Sequence, residues 1–374
     1  MKKNVRLFDI AEALGVSTGT VHRALHDHAG VNAETKQRVL EMAKTLGYRP
    51  NLAARFLSSK RSLKISVNTL KGTTSFWDEV RAGISEEAKS VLMENLELQF
   101  RTYPRLGEGE EEAFEAALQD KVDGIIIFSS HPESLRTRMS RASGSHIPVM
   151  CVTTDAPESG RLAVVSIDTF ASGALAADLM GRFLHGKGEI AVTLSDLRIT
   201  EHAEKFSGFN KIMSSYYPQM RVLDPLEDHD IEPEAYDKCR KLLESHRDLS
   251  GIYVTTEASI PVINAARDAG RLSQLTIITT DLFPALVPHI RSGEVSATIY
   301  QRPRTQGRMA FRVLHEFLAE SERPSSQVSL APHLVMRGNL DFFLDRQSGE
   351  SNGRRSSQGS SSDAPTEDII VARN

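Results

Sequence analysis

Residues 7–25 read Leu7-Phe8-Asp9-Ile10-Ala11-Glu12-Ala13-Leu14-Gly15-Val16-Ser17-Thr18-Gly19-Thr20-Val21-His22-Arg23-Ala24-Leu25. Apolar side chains at Leu7, Ile10, Ala11 and Leu14, and again at Val21, Ala24 and Leu25, recur at the three- and four-residue intervals of short helices with one buried face. Gly15 interrupts the pattern after Leu14, and Ser17 is placed to cap the second helix. A third helix begins at Asn32, with Glu34 behind it, and turns Val39, Leu40, Ala43 and Leu46 inward. Three short helices over 5–48, the first two joined by a tight glycine turn, make a helix-turn-helix.

Charge separates this segment from everything after it. Residues 1–64 hold twelve Lys or Arg against five acids, a net of +7, so in a 374-residue chain of net −4 the remainder carries −11. A basic head on an acidic body points to a polyanion as the partner of the head.

Two further stretches belong with the first: Val31-Asn32-Ala33-Glu34-Thr35-Lys36-Gln37-Arg38-Val39 and Leu46-Gly47-Tyr48-Arg49-Pro50-Asn51. With them, roughly the first sixty residues resemble, without a gap, the LacI/GalR family of transcription regulators, which includes the lac and purine repressors. A helix starting at Ser17 presents Thr18 and Gly19 at its amino end and Arg23 a turn later, and these occupy the family's base-reading positions. An arginine there suits the O6 and N7 of guanine in the major groove. Gly19 has no side chain to read with, and His22 suits a phosphate, a base or solvent equally. Thr20, Asn32, Thr35 and Tyr48 read as phosphate contacts or helix packing, Tyr48 equally as core. The segment Asn51-Leu52-Ala53-Ala54-Arg55-Phe56-Leu57 resembles the family's hinge helix. That implies DNA contact for Asn51, Ala54 and Leu57, with Leu57 as a wedge in the minor groove at a dimer axis. The partners so implied are double-stranded operator DNA and a second copy of the chain, a homodimer.

From residue 64 onward, short β-branched runs alternate with amphipathic helices: 65–70 then 78–92, 96–103 then 110–119, 124–128 then 133–142, and so on to 297–300. Ten or so strands exceed one doubly wound sheet, and two parallel sheets with a cleft between their carboxyl edges are the natural packing. The fold class is therefore α/β, a three-helix head followed by a two-subdomain body. The body resembles the periplasmic sugar-binding proteins. The domains are 1–50, the helix-turn-helix; 51–63, hinge and linker; 64–346, the effector domain; and 347–374, a Ser-, Gly- and charge-rich tail expected to be disordered.

The resemblance of the body implies a set of effector contacts. Phe76 and Trp77, the latter the only tryptophan, follow the first strand where relatives set an aromatic ring against a sugar, and read equally well as core. Asp281 and Gln301 end strand-like runs, where open α/β sheets bind ligands. Lys205 stands in a slot commonly held by arginine, and Thr255 where relatives usually have asparagine. Asp155, or Thr153 two residues before it, is a further polar candidate. Asp168 reads as the cap of the helix beginning at Phe170.

The effector is then a small sugar or polyol, with a purine as the alternative, and the function that of a repressor controlled by it. No G-x-S-x-G, Walker-type loop or H-E-x-x-H is present, so the chain reads as no enzyme, with no catalytic residue, cofactor or metal. His202 beside Glu201 and Glu204, and His229 between Asp228 and Asp230, read as polar groups on the surface. Cys151 and Cys239, far apart, read as core thiols of a reducing compartment. With no apolar run of membrane-spanning length and no secretory signal, the expected location is the cytoplasm.

Overall fold

The computed structural model describes residues 5, 7–25, 30–46, 62–71, 75–91, 96–320, 323–344 and 369–371. They fall into two compact units, a small one built on the first three helices and a large one built on the strands from Leu63 onward.

In the small unit α1 (Leu7–Leu14), α2 (Thr18–Leu25) and α3 (Ala33–Leu46) enclose Ile10, Ala11, Val21, Ala24, Val39 and Ala43. Gly15 stops α1 at φ +65°, a conformation a Cβ would strain. Gly15 N–H then bonds Glu12 C=O and Val16 N–H bonds Ala11 C=O, which closes the helix end by the usual pair of reversed bonds. Leu40 and Leu46, expected to face inward, are instead 42% and 37% exposed. A 14-residue helix offers more apolar surface than two eight-residue helices cover.

The strands of the large unit, numbered along the chain, are β1 (Leu63–Leu70), β2 (Leu96–Tyr103), β3 (Gly124–Ile127), β4 (Val149–Val152), β5 (Ala163–Ile167), β6 (Glu189–Leu194), β7 (Arg221–Val222), β8 (Leu226–Glu227), β9 (Leu249–Val254), β10 (Thr276–Thr280), β11 (Ala297–Tyr300), β12 (Gln327–Leu330), β13 (His333–Val335) and β14 (Ile369–Val371). One sheet runs β14-β12-β5-β4-β3-β1-β2; the other runs β13-β11-β10-β9-β6-β7, with β8 also on β6. Pairing is parallel except at β13 and β14. The inner strands are buried end to end, which is why they read as unbroken apolar runs.

Helices α4 (Ser75–Ser90), α5 (Glu110–Gln119) and α6 (Pro132–Gly144) lie between the strands of the first sheet, whereas α7 (Thr169–Phe183), α8 (Thr200–Tyr216), α9 (Glu232–Ser245), α10 (Ser259–Asp268) and α11 (Val287–Ser292) follow strands of the second or lead into it. Asp168 caps α7, its Oδ1 accepting from Ala171 N–H at 2.8 Å. The chain passes between lobes four times: after β5, after β11 into α12 (Pro303–Glu320), which packs on α4, between β12 and β13, and between β13 and β14.

Glycines set the closest helix approaches. A Cβ on Gly307 would stand 2.1 Å from Val80 O and one on Gly83 2.0 Å from Arg304 O; likewise Gly208 meets Phe170 O at 2.1 Å and Gly173 meets Lys205 O at 1.8 Å. Both lobes use one device, since the carbonyl three residues before each glycine receives the glycine of the partner helix. Around α4 and α12 it is reinforced by Arg304 to Glu79 at 2.7 Å and Arg312 to the buried Glu87 at 2.7 Å.

The expectation of a disordered tail is corrected at one point. Ile369–Val371 pair antiparallel with β12, Ile369 opposite Leu330 and Val371 opposite Val328, because three consecutive β-branched residues suit a sheet edge. The hinge segment 51–61, and with it Asn51, Ala54 and Leu57, lies outside the described residues, as does Tyr48. Both cysteines are buried and free.

Candidate functional site

On the head, α2 turns Val21 and Ala24 into the core and leaves Thr18, Gly19, His22 and Arg23 exposed on the other side. Ser17 Oγ accepts from Thr20 N–H at 3.1 Å and lies 2.9 Å from Thr20 Oγ1. Asn32 Oδ1 accepts from Thr35 N–H at 2.7 Å. Ser17 and Asn32 are thus occupied as helix caps, fixing where α2 and α3 begin. A Cβ on Gly19 would lie 3.8 Å from an Arg23 guanidinium nitrogen, an ordinary contact, so a small side chain would also fit there.

In the large unit the carboxyl ends of both sheets face one cavity of about 540 Å³. The first lobe gives it an apolar wall: Leu70 at the end of β1, Phe76 and Trp77 at the start of α4, Leu106 after β2, and Phe128 after β3. The Trp77 ring centre stands 4.4 Å from that of Phe128 and 5.0 Å from that of Phe76. Phe76 and Trp77 therefore serve as core and as cavity wall together.

The second lobe gives a polar floor: Glu201 and His202 on α8, His229 and Asp230 after β8, Thr255 and Glu257 after β9, and Asp281 after β10, with Gln301 after β11. Asp281 holds φ +70°, with its Oδ1 accepting from Gln301 N–H at 3.1 Å and its Oδ2 from Gln301 Nε2 at 2.7 Å. Burial pushes Asp281 up to about 7 against the pull of these donors and of Lys205. Gln301 Oε1, Thr255 Oγ1 and, across the cleft, Thr153 Oγ1 are buried acceptors without a hydrogen bond. Thr153, His229, Asp230, Asp281 and Arg302, which follows β11, all adopt positive φ, and such strain gathers at sites that bind.

Lys205 does not line the cavity. It lies fully buried beneath the floor, its Nζ donating to Glu201 Oε1 at 2.5 Å and to Thr255 C=O at 3.1 Å. Burial alone would lower it, but the Glu201 carboxylate outweighs burial and holds it above the usual lysine range.

Asp155 is likewise absent from the lining. Arg161, six residues on, grips its carboxylate with Nη2 at 2.6 Å, and its carbonyl accepts from Thr200 Oγ1 of the other lobe at 3.1 Å. The reading of the two histidine clusters as surface groups is also corrected. Glu201, His202, His229 and Asp230 all line the cleft, and burial drives His202 down to about 4, so it is neutral at pH 7. Withdrawal from bulk water, with the Glu201 carboxylate, raises Asp230 above the usual carboxylate range. Among the described residues no group of three or more His, Cys, Asp or Glu is arranged to hold a metal, and no helix is long and apolar enough to cross a membrane.

These features define a class: a regulator in which a helix-turn-helix head is joined to a periplasmic-binding-protein-like body. Residues 6–51 match the model of the bacterial regulatory proteins, lacI family, and residues 65–322 that of the periplasmic binding protein domain. The chain belongs to the lacI family of transcription regulators. It is 25% identical over 345 residues to catabolite control protein A of Staphylococcus epidermidis, covering 89% of this chain and 98% of that one. Identity to catabolite control protein A of Priestia megaterium is 27% over 344 residues, with the same shares. Among solved structures, a solute-binding protein from Burkholderia graminis in complex with D-arabinose superimposes with a TM-score of 0.70 at 23% identity, over 75% of this chain and 97% of that one. A Bacillus halodurans solute-binding protein with bound myo-inositol gives 0.69 at 17%, over 77% and 99%.

Proposed function

We propose that the protein is a homodimeric repressor of the cytoplasm whose affinity for operator DNA is set by a small sugar or polyol in the cleft. The observation that carries this reading is the pairing of an aromatic wall, Phe76, Trp77 and Phe128, with a floor of buried acceptors lacking partners, Thr255 Oγ1 and Gln301 Oε1 beside Asp281. A sugar ring sets its C–H face on aromatic rings and its hydroxyls on such acceptors, and buried acceptors left unpaired cost free energy that a ligand recovers. A purine would satisfy the wall but brings far fewer donors to the floor. Thr255 and Asp281 take the direct contacts in this reading, while Lys205 holds Glu201 and the Thr255 backbone in place from below.

On the head, Arg23, Thr18 and Gly19 face base edges, while Thr20, Thr35, His22 and Tyr48 face the backbone. The hinge segment, with Asn51, Ala54 and Leu57, transmits the state of the cleft.

The test is a titration of sugars, polyols and purines against Trp77 fluorescence, an unmixed signal because the chain has one tryptophan. Each responding compound is then added to an operator-binding assay. A saturable change with a sugar or polyol that also shifts operator affinity is expected. A response to purines alone, or a bound sugar that leaves operator affinity unchanged at every concentration, would overturn the reading.

A further inference from the structure

The described lining of the cleft holds more acids than lysines or arginines. Glu201, Asp230, Glu232, Glu257 and Asp281 line it, and among the described lining residues Arg105, exposed on the opposite lobe, is the one lysine or arginine. Lys205, buried beneath the floor, is already engaged: Glu201 takes its charge and the Thr255 carbonyl a second of its three donors. Lys205 draws Asp281 down, but burial still holds it above the usual carboxylate range. His202 is held neutral by burial and supplies none.

Gln301 Oε1, buried in the floor without a hydrogen bond, is an acceptor only, and Asp281 and Asp230 are acceptors whenever ionised. A hydroxyl meets such groups with one donor and no charge. An ammonium meets them with three donors and a full charge.

We infer that the cleft takes a cationic polyhydroxy compound, a sugar or polyol carrying a protonated primary amine, with the amine on the Asp281 and Asp230 side of the floor. This inference rests on the sugar-or-polyol reading and narrows it.

Matched pairs test it on the full-length protein at pH 7 by calorimetry or Trp77 fluorescence: D-glucosamine against D-glucose, D-galactosamine against D-galactose, and 1-amino-1-deoxy-D-sorbitol against D-sorbitol, with N-acetyl-D-glucosamine as a control that keeps the nitrogen and removes the charge. In any pair that binds, the amine is expected to be tighter by about tenfold or more, the scale of one added charge-assisted hydrogen bond. The N-acetyl compound is expected to lose that gain. Asp281→Asn should erase the preference; because that residue also braces Gln301, Asp230→Asn, on the open side of the floor, serves as the second variant and should narrow the ratio without abolishing binding. A neutral member that binds as tightly as its amine would overturn the inference and leave the sugar-or-polyol reading standing. Silence from every member would overturn both.

Discussion

Asp228 shows what burial does to a single carboxyl group. It is fully buried after β8, its Oδ1 accepting from Asp230 N–H at 3.0 Å while its Oδ2 has no partner. Burial, with the neighbouring Asp230 carboxylate, pushes it up to about 8. In the unfolded chain an aspartate titrates near about 3.9. Between those values the folded state binds a proton that the unfolded state does not, so stability falls as pH rises through that window. Urea denaturation at pH 9 should therefore show a lower midpoint than at pH 6, and Asp228→Asn should remove part of the difference by raising stability at pH 9 by about 1–3 kcal/mol. No gain at pH 9 would mean that the carboxylate is paired in solution.

At the same scale, Arg23→Ala should cost about 1–3 kcal/mol on an operator selected from a random-sequence pool, and much less on bulk DNA. Lysine should not restore the loss, because it lacks the paired donors; anisotropy titrations measure both. Single residues were unevenly legible in the sequence. Asp281 and Gln301 end strands, and strand ends are readable. Asp155 looked equivalent, but the arginine that holds it is recognisable only once the 155–161 loop is closed. Lys205 and Glu201 sit one helical turn apart on α8, and no periodicity tells which of the two the neighbouring elements of its own lobe will cover.

Elements were the most legible level, because apolar runs and caps are local. The three head helices, the alternation of strands and helices, and the Asp168 cap all follow from spacing and side-chain type. The crossings where α4 meets α12 and α7 meets α8 were not, since a glycine inside a helix marks only a cost until its partner is known. There the sign of that cost reverses. Alanine at an ordinary helix site stabilises by up to about 1 kcal/mol over glycine, but at Gly208 its methyl would meet Phe170 O at 2.1 Å. Gly208→Ala should lower stability by about 1–3 kcal/mol, as overpacking does, read as a drop in urea midpoint. A rise would show that the helices separate freely. The strand Ile369–Val371 was hidden for another reason: three apolar residues after a long polar run have no edge to join until β12 is placed beside β5.

For the whole molecule, effector binding and operator binding form one equilibrium under the proposed function. Whatever factor the effector changes operator affinity by, operator DNA must change effector affinity by the same factor, and titrating Trp77 with and without operator measures it. Leu57→Ala should weaken specific binding far more than binding to random DNA, because a wedge contributes only where the DNA is kinked. Equal loss on both would remove the wedge. Sedimentation with and without DNA tests the dimer.

The passages of the chain between lobes also govern the order in which the body can be made. The first lobe's sheet is interrupted in sequence: β5 ends at Ile167, and its neighbour β12 begins at Gln327, after the entire run from α7 to α12. At ribosomal speeds of roughly 5–20 residues per second, the first-made lobe waits on the order of 10–30 s for the strand that seals its edge. A nonsense or frameshift mutation in the codons of the second lobe therefore damages both lobes, leaving the first with β5 as an uncovered, strongly apolar margin. Truncated alleles of this gene should accumulate as insoluble or degraded product instead of as a free-standing half.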